Sequence, residues 1–323
     1  MEKLSRTLIL GASIDSAGIG GVTIHLQRLQ QWLDKDNFQY DFCDYKKTSI
    51  SEQFCQIAKY KVVHIHLSHP LLRLVYILYC RLVGTKSILT VHGNIGRFTW
   101  YKNLMDKWSV HLCNVPVLIN TGSFEQAKKW NKSSILLSAF LPPVDEETLP
   151  ESVSDMIAKA RSEGKIIVAS NASVMSFTDA GEEIYGVSFA IEYFRSRPYY
   201  FLCISDPSRQ YTDRYKGHIP DNVLFITERH SFYALMLIAD IMLRPTATDG
   251  DSLSVKEGLY LKKKVIATDC VNRPAGVITF HYNDAVSLSK ALATERQKVD
   301  LDDDKTVEML INLYKGLASE KLK

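Results

Sequence analysis

No stretch of the 323-residue chain is long and apolar enough to read as a membrane span. The longest apolar run, residues 70–83, falls short of the roughly 20 residues a span needs, and Arg73 and Arg81 interrupt it. There is no CxxC pair. Cys43, Cys55, Cys80, Cys113, Cys203 and Cys270 are scattered, which suits a reduced, cytosolic thiol set. No signal peptide is visible, since Met1-Glu2-Lys3-Leu4-Ser5-Arg6 runs straight into a strand, so the Asn-x-Ser triplets at Asn131 and Asn171 carry no weight. Internal repeats and low-complexity tracts are missing, and no recognised nucleic-acid motif accompanies the basic residues, which sets nucleic acid aside as a partner. The dinucleotide fingerprint GxGxxG does not follow the first strand.

What remains is an ordinary globular composition, 46% hydrophobic and 23% charged, at a length that suggests two domains. Charge is uneven along it. Residues 1–144 carry 17 Lys and Arg against 9 Asp and Glu, a net of +8; residues 145–323 carry 22 against 27, a net of −5. A basic first half suits an anionic partner such as a membrane surface or a phosphorylated lipid; ordinary surface scatter is the alternative.

Apolar runs predict strands at 7–11, 38–43, 62–67, 87–91, 115–119 and 134–137, with helices at 22–33, 70–83, 97–112 and 124–130. Pro142 and Pro143 stop helix and sheet alike and mark a linker over 138–145. The rhythm then restarts, with strands at 165–170, 199–205, 223–226, 238–243 and 264–268 and helices at 186–194, 232–238 and 252–261. The class is α/β, with domains at 1–143 and 144–302. In the remainder, 303–323, a helix at 305–317 could fold back across the first domain.

The stretch 244–269, RPTATDGDSLSVKEGLYLKKKVIATD, organises the rest. It reads as strand, acid-bearing loop, helix and strand, and ligands of open parallel sheets sit beyond the carboxyl ends of the strands. Asp249 ends the loop and Glu257 lies eight positions on, about two helical turns. Between them Gly250, Asp251, Ser252, Leu253 and Ser254 form a helix N-terminus, whose free N–H groups suit a phosphate. One carboxylate can grip a sugar hydroxyl and the other a ribose diol, and a nucleotide-diphosphate sugar needs those three handles. The plainer alternatives are a capping box, Ser254-x-x-Glu257, and an ordinary turn residue at Asp249.

Other features are local. Gly18, Gly20 and Gly21 precede the first helix and let the loop approach a ligand closely. His64 and His66 share one strand face, and His69 follows. A metal there is conceivable but not expected, because no carboxylate or Cys sits close in the sequence and strand-end histidines are usually hydrogen-bonded. The 97–112 helix mixes Arg97, Lys102 and Lys107 with Phe98, Trp100, Tyr101 and Trp108, the composition of an interfacial or acceptor-facing helix.

These residues resemble the acid-x7-acid signature of retaining family 4 glycosyltransferases, in the bacterial surface-polysaccharide (O-antigen or capsule) subgroup. Asp249-Gly250 stands for the family's Glu-Gly, Glu257-Gly258 for its Glu-Ala, and residues 265–269 for its closing strand. The first acid is a methylene shorter, and Lys262-Lys263-Lys264 replaces Gly-x-Pro. Gly20-Gly21, His25 and the strand-end His92 match weaker family positions.

The resemblance implies the GT-B fold, two Rossmann-like domains facing across a cleft. It implies retaining transfer from a nucleotide-diphosphate sugar, with no other cofactor and no metal, although Asp249-Gly250-Asp251 has Asp-x-Asp spacing. The acceptor would be a glycan, polyprenyl-diphosphate-linked, on the inner, anionic face of the cell membrane, with the protein cytoplasmic and peripheral. His92, Asp249 and Glu257 would be catalytic. Gly20, Gly21, Asn171, Ser173, Arg244, Gly250, Asp251, Ser252, Leu253 and Ser254 would hold the donor, and His25, Asn94 and Arg97 the acceptor. The family also grips the pyrophosphate with an Arg and a Lys after the first strand of the second domain. Here no basic residue occurs from Asn171 to Phe194, which makes Arg244 and Lys256 the candidate substitutes. A sugar-nucleotide epimerase or phosphorylase on the same fold, and a non-catalytic partner subunit, are the rival readings.

Overall fold

Short apolar strands alternate with helices from end to end in the computed structural model, which describes residues 3–17, 20–296 and 305–319. The chain divides into two units, Met1–Asp145 with Asp303–Lys323, and Glu146–Asp302.

In the first unit β1 (Leu4–Gly11) leads through α1 (Ile14–Ala17) and α2 (Gly21–Lys35) to β2 (Tyr40–Asp44) and α3 (Ile50–Lys59). Then follow β3 (Tyr60–Ile65), α4 (Pro70–Leu82), β4 (Lys86–Val91), α5 (Trp100–Leu112), β5 (Val115–Leu118), α6 (Thr121–Trp130) and β6 (Ile135–Leu136). The strands are all parallel, in the order β2-β1-β3-β4-β5-β6. Both faces are covered, which is why the strands read as unbroken apolar runs. Leu8, Leu10, Val63 and Ile65 pack on one face with Ile57, Tyr76 and Ile77 of α3 and α4. Ile9 and Val62 point the other way, against Leu26, Leu29 and Leu33 of α2.

The second unit runs α7 (Glu151–Ser162), β7 (Ile166–Asn171), α8 (Val187–Arg195), β8 (Tyr200–Ser205), α9 (Gln210–Tyr215) and β9 (Val223–Ile226). It continues with α10 (Phe232–Ile238), β10 (Ile241–Arg244), α11 (Leu253–Tyr260), β11 (Lys264–Thr268), β12 (Ile278–Phe280) and α12 (Ala285–Ala293). Its parallel order is β12-β11-β10-β7-β8-β9. α11 lies tight on this sheet. A Cβ on Gly258 would stand 2.8 Å from Val265 Cγ2 and 3.3 Å from Met242 Cβ. The last helix, α13 (Thr306–Ser319), returns to the first unit and packs on α2, β1 and β3, where Tyr314 is fully buried.

Several boundaries differ from the sequence reading for local reasons. β10 starts at Ile241 rather than 238, because α10 runs through Ile238 and Asp240 then accepts from Ile167 N at 2.8 Å. α5 starts at Trp100 rather than 97: Thr99 is its cap, and Asn103 Oδ1 turns back to take Phe98 N at 3.0 Å. The helices α1, α3, α7, α9 and α12 and the strand β12 had no sequence expectation. α3 shows why: of its ten residues only Gln53 and Ile57 are buried, so its apolar stripe is thin.

Candidate functional site

Topology alone marks one place in each unit. In an open α/β sheet the ligand crevice lies beyond the carboxyl ends of the strands where the chain reverses its direction of winding. In the second unit that point falls between β7 and β10, since β8 and β9 extend to one side and β11 and β12 to the other. In the first unit it falls between β1 and β3. The two stretches singled out by sequence end at these points.

At the second unit's switch point Asn171 ends β7 and Arg244 ends β10. Arg244 Nη1 reaches Asn171 Oδ1 at 3.3 Å, and its guanidinium lies 5.3 Å from the Tyr185 ring centre. The fork of Arg244 is already occupied. Nε and Nη2 donate to the two carboxylate oxygens of Asp249, each at 3.1 Å. Arg273 adds Nη1 to Asp249 Oδ2 at 2.8 Å, while its Nε donates to Thr268 O at 2.8 Å. Its Nη2 faces Thr246, Thr268 and Cys270. Burial alone would raise the Asp249 carboxyl; the Arg244 charge, with Arg273, holds it below the ordinary aspartate value. So Asp249 is a buried counter-ion between two guanidiniums, and the cluster of three carries one net positive charge. The sequence expected Arg244 to offer its fork to a phosphate and Asp249 its carboxylate to a sugar. The structure spends both groups on each other, and Arg273, which the sequence reading missed, closes the cluster.

α11 begins where the phosphate cradle was expected. Ser252 is the residue before its first turn, and Ser252 Oγ and Ser254 Oγ lie 3.1 Å apart. Glu257 therefore sits five positions past the cap, inside the helix, and the Ser254-x-x-Glu257 capping box is not formed. Its side chain is buried. Lys256 is paired with Asp251; burial pushes that carboxyl up, and the lysine works against the rise. Gly250 N turns back to Asp249 Oδ1 at 3.0 Å, and a Cβ there would meet nothing within 4 Å. Ser173 Oγ is 2.6 Å from Tyr185 OH, under Arg244. Asn171, Ser173, Arg244, Asp249 and the 250–254 turn thus converge on one end of one sheet.

In the first unit Gly20 and Gly21 stand at the start of the 15-residue α2, with open space where a Cβ would be. Gly18 lies outside the described residues. His25, one turn into α2, meets His66, just after β3, and His92, just after β4. Their ring centres are 5.5 Å (His25–His66), 5.1 Å (His25–His92) and 5.2 Å (His66–His92) apart. His66 Nδ1 and His92 Nε2 are 2.9 Å apart, and His25 Nδ1 donates to Ala139 O at 2.8 Å. Burial drives the pKa of both His66 and His92 well below the usual histidine value, helped by the neighbouring imidazoles.

The sequence pattern had grouped His64, His66 and His69; the structure keeps the His64 and His66 rings 4.0 Å apart and sets His69 aside. His64 is saturated by Tyr314 OH at 2.6 Å and Thr90 Oγ1 at 2.7 Å, and burial lowers its pKa to about 3. His69 is exposed at the cap of α4. Arg97 folds back over Gly93, where a Cβ would lie 2.2 Å from Arg97 Nη1, and Asn94 Oδ1 takes Asn120 Nδ2 at 3.2 Å. His25, His92 and Arg97 share one sheet end, with Asn94 at its exposed rim.

Among the described residues no helix is long and apolar enough to cross a membrane. α4 and α5 nevertheless present apolar side chains to solvent. Leu71, Val75, Leu78 and Leu82 follow helical spacing along α4, and Trp100, Leu104 and Trp108 do so along α5. Beneath them Arg73 Nη1 pairs with Asp106 Oδ1 at 2.8 Å, a buried link between the two helices.

No family model and no curated protein matches the sequence. Solved structures do match in shape. HepE (Alr3699) of Anabaena, in complex with UDP-glucose, superposes with a TM-score of 0.63 at 11% identity, over 97% of this chain and 94% of that one. The lipopolysaccharide outer core galactosyltransferase WaaB, in its apo form, gives 0.55 at 11% identity, over 97% and 94%. The UDP-GlcNAc 2-epimerase of Methanocaldococcus jannaschii gives 0.58 at 11% identity, over 95% and 98%. This likeness establishes the fold, which is GT-B.

Proposed function

We propose that the chain is a retaining glycosyltransferase of the family 4 type, moving a hexose from a nucleotide-diphosphate donor to a lipid-linked glycan at an anionic membrane face. One observation carries the reading. The stretch that resembles the donor-binding signature, 244–257, lies at the switch point of a sheet wound 3-2-1-4-5-6, where nucleotides bind in this architecture. The bound UDP-glucose of HepE, on the same fold, supports it.

In this reading the diphosphate lies over the first turn of α11, with Ser252 and Ser254 donating and the dipole adding about half a unit charge. The single net charge of the Arg244–Asp249–Arg273 cluster supplies long-range attraction, and Arg244 Nη1 is its one guanidinium nitrogen turned toward the β7 end. Asp249 acts by holding the two arginines rather than by touching the sugar. Glu257, which does not cap the helix, grips the ribose. On the first unit His92 and His25 face the acceptor side. The departing diphosphate takes the acceptor's proton on the face it leaves, which retains the anomeric configuration. The exposed apolar and basic face of α4 and α5 supports a lipid-borne acceptor.

The epimerase likeness favours a second reading, in which the same site inverts a sugar-nucleotide without an acceptor. A thermal-shift screen of nucleotide-diphosphate sugars against the purified chain tests the shared step. A donor at 100 times its Kd should stabilise the fold by about 2.7 kcal/mol. Glycoside product formed only with added acceptor supports transfer, and epimer formed without it supports the second reading. If no nucleotide sugar shifts the melting curve, both readings fall.

A further inference from the structure

The first unit holds a histidine cluster, two of whose members the proposed transfer places on the acceptor side. His25, His66 and His92 come from α2, the exit of β3 and the exit of β4, and each offers a ring nitrogen within 4.8 Å of the others. We propose that these three histidines form a binding site for one divalent transition-metal ion of the zinc class, with a fourth position open to water or an oxygen ligand.

Geometry carries the proposal. A tetrahedral zinc ion holds imidazole nitrogens at about 2.0–2.1 Å, which places the ring centres of any two ligands roughly 5 Å apart. The observed separations are 5.5, 5.1 and 5.2 Å. Nitrogens of adjacent ligands in such a site lie about 3.3 Å apart, against 2.9 Å for His66 Nδ1 and His92 Nε2. Metal uptake replaces the hydrogen bond between these two atoms with two nitrogen–metal bonds, for which the rings must part by a few tenths of an ångström and turn from their head-on arrangement toward a common point. His66 Nε2 is buried with no hydrogen-bond partner among the described residues, and the His64 ring packs 4.0 Å away.

The surroundings fit a metal. His25 Nδ1 donates to Ala139 O, a bond of the kind that fixes ring orientation in histidine metal sites and leaves Nε2 as the ligand atom. No carboxylate joins the group among the described residues, and an all-imidazole set selects zinc, copper, nickel or cobalt over magnesium and calcium. Three protein ligands leave the coordination incomplete, as in sites that keep an exchangeable position. The site lies wholly within the first unit and stands whether or not the chain transfers sugar.

The experiment uses the full chain, stripped with a chelator and dialysed. Zn2+ titration by calorimetry should show one equivalent bound, and Co2+ should give the visible absorption of a four-coordinate nitrogen site. His66→Ala should weaken Zn2+ binding at least tenfold, and His25→Ala likewise, whereas His111→Ala, remote from the cluster, should not. Should His66→Ala fail to fold, His92→Ala at the half-exposed corner gives the same readout. Three results overturn the proposal: no saturable binding near one equivalent, binding that survives both His66→Ala and His25→Ala, or equal binding of Mg2+. Because the readout is the metal, it is unaffected if the donor screen fails.

Discussion

A carboxylate between two guanidiniums is held far more firmly than a surface ion pair, because neither partner can be lost without stranding a buried charge. Asp249 is such a group, with 6% of its side chain exposed and both oxygens engaged. Asp249→Asn should cost about 3–5 kcal/mol of stability, read as an earlier melt. Its pKa is depressed in the fold, so its contribution is fully present above the unfolded aspartate value of about 3.9 and is lost as pH falls through the folded value. The variant should therefore show a shallower loss of stability below about pH 4 than the native chain. A variant that melts normally and only loses donor affinity would return Asp249 to the sugar. The acid itself was legible, because turn chemistry and spacing isolate it. Its partners were not. Arg273 lies 24 residues on, in an Asn-Arg-Pro turn with no periodicity, and only the parallel pairing of β10 with β11 brings the two turns side by side.

At the scale of the element, α11 shows what spacing settles and what it leaves open. Seven residues separate Asp249 from Glu257, and sequence allowed the second acid to be either a cap or a ligand-facing group. The start of the helix rules out the cap, and that start moves by a residue or two with no change in composition. With Ser252 as the cap, Glu257 lies in the helix body. Glu257→Gln, which keeps the shape and removes the charge, should weaken nucleotide-sugar binding at least tenfold in calorimetric titration while the melt moves little. Unchanged binding with a lower melt would make Glu257 a packing residue. Gly258 is the companion test. Gly258→Val would drive two methyls into Val265 and Met242, at about 1–3 kcal/mol, and lift the first turn of α11 from the sheet. Donor binding should fall with stability there, in contrast to Glu257→Gln. The histidine cluster was illegible for a related reason. His25, His66 and His92 are spread over 67 positions, and only the order β1-β3-β4 gathers them. The visible pattern, His64 with His66, is half structural, because the period of two puts both on one face but cannot tell which meets Tyr314.

For the whole molecule, fold class was the most legible feature, since buried parallel strands are continuous apolar runs and the proline pair breaks them into two sets. The charge asymmetry was visible as a number and acquires a location in the structure. The first 144 residues carry +8, and within them α4 and α5 expose Leu71, Leu78 and Leu82 and Trp100, Leu104 and Trp108, with Lys102 and Lys107 on α5. Apolar side chains on a monomer's surface at regular helical spacing, with basic residues among them, fit the interface of an anionic bilayer. Each lysine or arginine near such a surface contributes about 1 kcal/mol, screened within a Debye length. The apolar residues add a part that salt does not remove. The two contributions can be separated. Sedimentation with vesicles rich in phosphatidylserine should show binding that weakens steeply between 50 mM and 500 mM salt. Lys102→Glu with Lys107→Glu should remove most of that salt-sensitive part. Trp100→Ser with Trp108→Ser should lower binding at every salt concentration and leave the slope unchanged. Trp100, Trp108 and Lys107 lie on the exposed side of α5, whereas Lys102 is half-buried one turn before Asp106, so the melting curve of the lysine pair is read beside its binding. Equal binding to neutral and anionic vesicles would remove the electrostatic half of this account. Native-like binding by the tryptophan pair would remove the other half, and the lipid-borne acceptor would lose its support in the structure.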